Sequence, residues 1–564
     1  MATPDTETSD FDSVERIKAG SRGLRGKLAE GLRDEVTGAI LPGDTALLKF
    51  HGVYQQDDRD ARNDRQHRKL EPAYQFMVRL RMPGGVCSPA QWLALDELVQ
   101  RYASASLRTT TRQTFQLHGV LKRDLKQTIQ GINEALFTTL ATCGDINRNV
   151  ICHPNPALSR VHASAHGLAE RLSTELLPRT RAYHELWLDD ECVTPLPEPE
   201  PLYGATYLPR KFKIAIAIPP SNDVDVFAHC LGFIAVTEND RLAALNISVG
   251  GGMGMTHGDG TTFPRLGQVI GSCAPEQALD VAKQVIAIQR DFGNRVNRRR
   301  SRFKYTIEDR GLKWFVTELE SRLGWSLNQA LPFTFTSRGD LTGWATGDDG
   351  RRHLTIRVPS GRIADHGATR LLTGFREIAR IHTGDFRITP NQNVIIANIE
   401  PRRTEEIEDL AATHGLLATR RQSALRHQAL SCVSFPTCGL AMAESERAMP
   451  KLLGRLEPVL QAAGLNEQSI DLRVTGCPNG CARPYLGEIA LVGKGPDSYK
   501  VFLGGSALGD RLASFYQDNV SLDGAVTLLE PLLHEYAATR FESEPFGDWA
   551  LRQGHASGEP PRGA

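Results

Sequence analysis

Apolar residues recur along this chain with two periods, and the same succession of periods occurs twice. FMVRLRMPGG (76–85) alternates, which puts Phe76, Val78, Leu80 and Met82 on one face of a strand and Arg79 and Arg81 on the other. A Pro/Gly turn follows. Ser88, Pro89 and Gln91 then make a capping-box start for a helix whose apolar face is Trp92, Leu95, Leu98, Val99 and Tyr102. LRTTTRQTFQLHGV (107–120) closes the unit as two more short strands. HLTIRVPSG (353–361), LLTGFREIARI (371–381) and FRITPNQNVIIANI (386–399) repeat the order, with Leu372, Phe375 and Ile378 as the second helix face.

The copies differ in their cations. Arg357 stands where Arg81 does and Arg387 where Arg108 does, but Thr355 replaces Arg79 and Asn391 replaces Arg112. Duplicated halves need the same packing, whereas only one must keep the chemistry. Arg81 and Arg357 are therefore read as structural, solvated charges, and the cationic excess of the first copy as functional. Each repeat precedes a long mixed segment, so the fold class is α+β with an internal pseudo-twofold duplication. The expected parts are an extended segment 1–70, a first repeat 71–150, a mixed half 151–335, a second repeat 336–420 and a second mixed half 421–564. CVTPLPEPEPL (192–202) reads as a Pro/Glu-rich connection and GHASGEPPRGA (554–564) as a disordered tail.

Composition narrows the function classes. Of 564 residues 40% are hydrophobic, and Lys plus Arg equals Asp plus Glu at 66 each, so net charge gives no reason to expect nucleic-acid or membrane-surface binding. No apolar run reaches the roughly 18 residues of a membrane helix, and the acidic start MATPDTETSDFD lacks a secretory pattern, which predicts a cytoplasmic protein. NISVGGGMGMTHG (246–258) does not complete a dinucleotide-loop spacing, and NRVNRRRSRFK (294–304) reads as solvated or facing cofactor carboxylates. His51 and His118 fit core or cavity positions better than metal ligation.

Six of the ten cysteines are scattered: Cys87, Cys143, Cys152, Cys192, Cys230 and Cys273. The other four form two pairs, Cys432 and Cys438 in C-x5-C and Cys477 and Cys481 in C-x3-C. Two thiolate pairs can hold zinc or an iron-sulfur cluster. The five-residue gap is wide for a zinc turn, which favours the cluster. Four structural cysteines remain the bland alternative, and neither reading explains the arginines.

The two pairs, with CPNGC at 477–481, resemble the sulfite and nitrite reductases that couple a siroheme to a 4Fe-4S cluster. HGVYQQDDRD (51–60), RTTTRQTFQLHG (108–119), DINRNVIC (145–152) and YLPRKFK (207–213) are similar to the hemoprotein (β) subunits of the NADPH-dependent sulfite reductases within that family. The resemblance spans nearly the whole chain and implies ferredoxin-like repeats between two siroheme- and cluster-binding segments. It implies that Cys432, Cys438, Cys477 and Cys481 ligate one cluster, that Cys481 also ligates one siroheme iron, and that Arg79, Arg148, Lys211 and Lys213 bind sulfite. Arg108, Arg112 and Gln116 are expected at the siroheme carboxylates and the cavity lining.

The implied activity is the six-electron reduction of sulfite to sulfide in sulfate assimilation and cysteine biosynthesis. A thiolate shared by cluster and heme would push electron density toward the distal ligand. Sulfite and the siroheme carboxylates together call for local cations. With no flavin or NADPH segment evident, NADPH would act through a partner flavoprotein (α subunit) carrying FAD and FMN, in a hetero-oligomeric complex. Two other readings stay open: a ferredoxin-dependent sulfite or nitrite reductase of the same fold, and a non-catalytic zinc or iron-sulfur protein.

Overall fold

A computed structural model describes residues 11–179, 187–188, 191–192 and 200–561. Most of the 192–202 connection lies outside the described residues. The described part of the segment 1–70, from residue 11, is not extended: it forms helices Ser13–Ala19, Leu28–Arg33, Pro42–Leu48 and Arg62–His67. Its strand Val53–Asp57 pairs antiparallel with Tyr74–Arg79, so the first repeat's sheet begins before residue 71.

The duplication is built into the strand pairing. The first repeat's sheet runs Val53–Asp57, Tyr74–Arg79, Phe115–Val120, Leu107–Thr109 and Arg362–Ile363; the second runs Gly343–Thr346, Arg352–Ile356, Val394–Ile399, Asp385–Ile388 and Val86–Cys87. Each sheet thus ends on a two-residue strand lent by the other repeat, Ile363 opposite Leu107 and Cys87 opposite Phe386. The lent strands leave equivalent turns, Pro83–Gly85 and Pro359–Gly361. Gly85 and Gly361 both take left-handed backbone there, where a Cβ would strike the facing strand.

Helix Pro89–Tyr102 starts at the Ser88/Gln91 capping box and packs on helix Leu371–Ile381. Trp92 is fully buried between the repeats, its ring 4.9 Å from Phe375 and 4.5 Å from Phe386. Burying an aromatic ring of this kind contributes about 3–5 kcal/mol.

The mixed halves are equivalent as well. In the first, Ile214–Ala217 runs parallel to Leu231–Glu238, which pairs antiparallel with Arg241–Val249 and that with Gln268–Cys273. In the second, Leu472–Thr475 runs parallel to Ile489–Gly495, followed antiparallel by Ser498–Leu503 and Ser514–Val520. The long crossover between each parallel pair is where a functional loop finds room. In the second half that crossover carries Cys477 and Cys481.

The tail is ordered over its described part. Ala556 is buried in the second half's core and the Ser557 amide donates to Ser514 Oγ, which corrects the expectation of disorder for residues 554–561. Among the described residues no helix is long and apolar enough to cross a membrane.

Candidate active site

The four paired cysteines come from two loops docked on one another. Gly476 accepts from the Met442 and Ala443 amides and donates its own amide to Cys432 Sγ at 3.3 Å. A Cβ at Gly476 would collide with Ser434 Oγ and the Ala443 carbonyl, so only glycine admits this approach. Asn479 Nδ2 lies 3.5 Å from Cys477 Sγ, and Thr111 Oγ1 of the first repeat donates to the Cys481 carbonyl at 3.0 Å. All four are free thiols.

Burial first, and then the fields of the neighbouring thiols, push Cys432, Cys438 and Cys477 up to about 12. The protein thus gathers the sulfurs without making them anions; a cationic centre would draw off the protons. A lone zinc would sit about 2.3 Å from each sulfur, whereas a four-iron cluster would spread its thiolates over a larger body.

The cations assemble beside Cys481. Phe212 packs inward against Phe303, and the flanking Lys211 and Lys213 leave the opposite side of the extended segment just before strand Ile214–Ala217. The Arg148 amide donates to the Phe212 carbonyl at 2.9 Å, which sets Arg148 alongside the lysines. Its guanidinium is fully engaged by the Thr142 and Gly144 carbonyls. Arg79 reaches Cys143 Sγ at 3.5 Å and, with the Gln116 amide turned oxygen-inward, bonds to Gln116 as well.

The Lys211 and Lys213 ammonium groups have no hydrogen-bond or ion-pair partner among the described residues. Burial, then neighbouring cations, hold both ammonium groups well below their ordinary value: Arg302 and Arg210 act on Lys211, and Lys211 and Arg112 on Lys213. The Cys481 side chain opposes that shift in both lysines, and it also acts on Arg79. Two unpaired, half-buried lysines in a field of further cations suit an anionic guest.

A cavity of about 410 Å³ opens here, lined by Arg210, Lys211, Arg298, Arg299 and Arg302 together with Asn479 of the cluster loop. Asp145 offsets part of the charge, at 2.9 Å from Arg298 and 3.8 Å from Arg210. The glycine loop after strand Arg241–Val249 forms one wall. Met255 N donates to the Pro478 carbonyl at 2.8 Å, and buried Lys304 donates to the Gly252 and Gly254 carbonyls at 3.1 and 2.7 Å. The residues present therefore fit both a cluster and a polycarboxylate macrocycle: four free thiols, unpaired lysines, and a glycine wall held against the CPNGC loop.

One expectation changes, and two of the expected site arginines make protein contacts. Arg108 donates to Glu446 at 3.1 Å and to the Ser431 carbonyl. Arg112 ties the Asn149 and Ile214 carbonyls together, bracing the scaffold behind the lysines. Arg81 and Arg357 are buried, not solvated; Arg81 binds the Ala141 and Ser173 carbonyls. Arg210 was not singled out from the sequence; Arg298, Arg302 and Lys304 lie in the basic run 294–304, which was left between a solvated stretch and one facing cofactor carboxylates, and Arg298 and Arg302 line the cavity.

Arg79→Ala is accordingly expected to lower turnover with little loss of stability. Arg81→Ala, which strands two buried carbonyls, should cost about 1–3 kcal/mol of stability. Denaturant melts beside steady-state rates check the pair, and the reverse assignment would contradict the use made of the repeat asymmetry.

Comparison with known proteins places the chain in a family. The family model for the nitrite/sulfite reductase ferredoxin-like half domain matches twice, at residues 67–135 and 345–413, and that for the nitrite and sulphite reductase 4Fe-4S domain matches residues 168–327. The chain is 57% identical over 545 residues to the sulfite reductase (NADPH) hemoprotein beta-component of Myxococcus xanthus, covering 97% of each chain.

The chain belongs to the nitrite and sulphite reductase family. A second such beta-component, from Bacillus subtilis, is 52% identical over 556 residues, covering 98% of this chain and 97% of that one. The Mycobacterium tuberculosis NirA protein shares the fold, with a TM-score of 0.78 at 23% identity over 96% of both chains. The 4Fe-4S domain match ends before Cys432 and so does not cover the four thiols.

Proposed function

We propose that this chain is the hemoprotein component of an NADPH-dependent assimilatory sulfite reductase, reducing sulfite to hydrogen sulfide at a siroheme joined to a 4Fe-4S cluster. The observation that carries the reading is an anion-sized cavity whose wall holds the unpaired Lys211 and Asn479 of the CPNGC loop, with Lys213 next along the chain and the four free thiols behind that loop. Cys432, Cys438, Cys477 and Cys481 would hold the cluster, and Cys481 the siroheme iron. When bound, cluster and siroheme would pass on electrons received from outside, and a thiolate ligand would push electron density toward the anion.

The chain's own residues do the rest. Lys211 and Lys213 hold the oxyanion by charge-assisted hydrogen bonds, and Arg79 and Arg148 complete the cationic wall. Gln116 and Cys143 orient Arg79, while the Thr142 and Gly144 carbonyls fix Arg148. The lysine ammonium groups are also the nearby proton donors for oxygen leaving as water. NADPH electrons would arrive through a flavoprotein partner carrying FAD and FMN, with the complex in the cytoplasm.

Because burial holds the lysines below their ordinary value, anion entry draws protons onto them. Sulfite KM is therefore expected to rise as pH rises, and the dependence to flatten in Lys211→Ala; steady-state KM measured across pH checks this. The function itself is tested by rates with sulfite and nitrite, using a sulfite reductase flavoprotein or ferredoxin as donor. The reading requires sulfite turnover driven by NADPH through the flavoprotein. Turnover only with ferredoxin, or only with nitrite, would select the other branch of the family.

A further inference from the structure

The pseudo-twofold relation makes one pair of residues stand out. Asp225 and Arg483 occupy corresponding positions, each eight residues beyond the end of its parallel strand, at Ala217 and Thr475. Each takes left-handed backbone, φ 52° for Asp225 and 53° for Arg483, and each caps a three-residue 3-10 turn, Val226–Ala228 and Pro484–Leu486. Duplication placed the two crossovers face to face, and the equivalent positions now carry opposite charges that meet. Arg483 Nε lies 2.5 Å from Asp225 Oδ2, with both side chains buried.

Asp225 holds more than this partner. Arg473 NH1 lies 2.9 Å from the same carboxylate, and Arg338 Nε 2.6 Å from its other oxygen. Arg473 sits on the strand that leads into Cys477, and Arg483 two residues beyond Cys481. One carboxylate of the first half therefore grips the cysteine hairpin of the second on both sides. The rest of the Arg483 guanidinium reaches the repeats, with NH2 3.0 Å from Asn391 Oδ1 and NH1 3.4 Å from the Thr111 carbonyl. Thr111 in turn donates to the Cys481 carbonyl. The second copy's Asn391, where the first has Arg112, is explained by this contact: a cation there would face Arg483.

We propose that Asp225 and Arg483 are positioning residues for Cys481, fixing its sulfur at the pseudo-twofold junction where cluster and siroheme meet. The proposal rests on the function proposed above for the ligands, but the clamp on the hairpin is a property of the chain. Neither residue touches the reacting atoms; each acts through the backbone on either side of a ligand. A buried ion pair with a fork-shaped partner has one low-energy geometry, and this one transmits that geometry to the loop.

Three variants of the holoprotein test it: Asp225→Asn, Arg483→Gln, and Arg338→Gln, which loses a bond to the same carboxylate and otherwise meets this loop only beyond the hairpin, at the Leu486 carbonyl. Amide hydrogen exchange over 476–483 is expected to quicken at least tenfold in the first two and to stay within threefold of wild type in the third. The optical spectrum should shift, and kcat fall at least tenfold with sulfite KM within twofold, in the same two variants alone. Asp225→Glu should return spectrum and kcat to within threefold of wild type, and it also serves if Asp225→Asn does not accumulate. Wild-type exchange and spectrum in Arg483→Gln, or equal changes in Arg338→Gln, would overturn the clamp. A wild-type protein without siroheme absorption would instead overturn the functional reading, while hydrogen exchange would still report on the hairpin.

Discussion

Lys211→Ala and Lys213→Ala are each expected to lower sulfite turnover by about 10²-fold or more while the optical spectrum stays close to wild type. The magnitude is that of removing one preorganised charged donor from a water-poor site. The physical basis is the unpaired state of both ammonium groups. Arg148 already has carbonyl partners and Arg79 has Gln116, but the two lysines meet no acceptor among the described residues. Their charge is available to an incoming anion, and losing one removes substrate contact without unsatisfying any protein group. Phe212, between them, keeps its packing in either variant. Titration with sulfite, stopped-flow rates and the absorption spectrum separate the outcomes. Loss of the tetrapyrrole along with turnover would show that the lysines serve assembly, not substrate.

Cys481→Ser is expected to abolish turnover and to empty the site, lowering cluster iron and siroheme together. A hydroxyl is a poor ligand to iron, and this one position would serve both groups, so the two losses are coupled. Cys432→Ser would remove a ligand to the cluster alone. Iron, acid-labile sulfide and tetrapyrrole content of each purified variant check the contrast. A Cys481→Ser protein that keeps siroheme at wild-type occupancy would show that the heme iron takes its protein ligand elsewhere.

The repeat was legible because strand and helix periods differ and both occur in the same order twice. The capping box at Ser88 and Gln91 needed no tertiary context. The exchange of Val86–Cys87 and Arg362–Ile363 between sheets was not legible, because two-residue strands carry no periodic signal. Nor was the fate of the arginines. Arg81 on an alternating strand looks the same whether its polar face meets water or buried carbonyls, and only the packing of helix Arg160–Glu175, which brings the Ser173 carbonyl, decides it. The same holds for Arg108 and Glu446, separated by hundreds of residues in sequence. The basic run around Arg298–Lys304 was ambiguous for a different reason. Asp145 and the glycine loop, which turn it into a cavity wall, lie elsewhere in the chain. The four cysteines stood out through the spacing within each pair, while the docking of the two loops through Gly476 is a tertiary contact that spacing does not reveal.

The most direct test is one absorption spectrum of the purified protein, recorded with its iron and acid-labile sulfide content. A Soret band with red-region absorption, about five irons and about four labile sulfides per chain are expected, as one cluster plus one heme requires. A colourless protein, or one holding a single zinc on these thiols, would contradict the account.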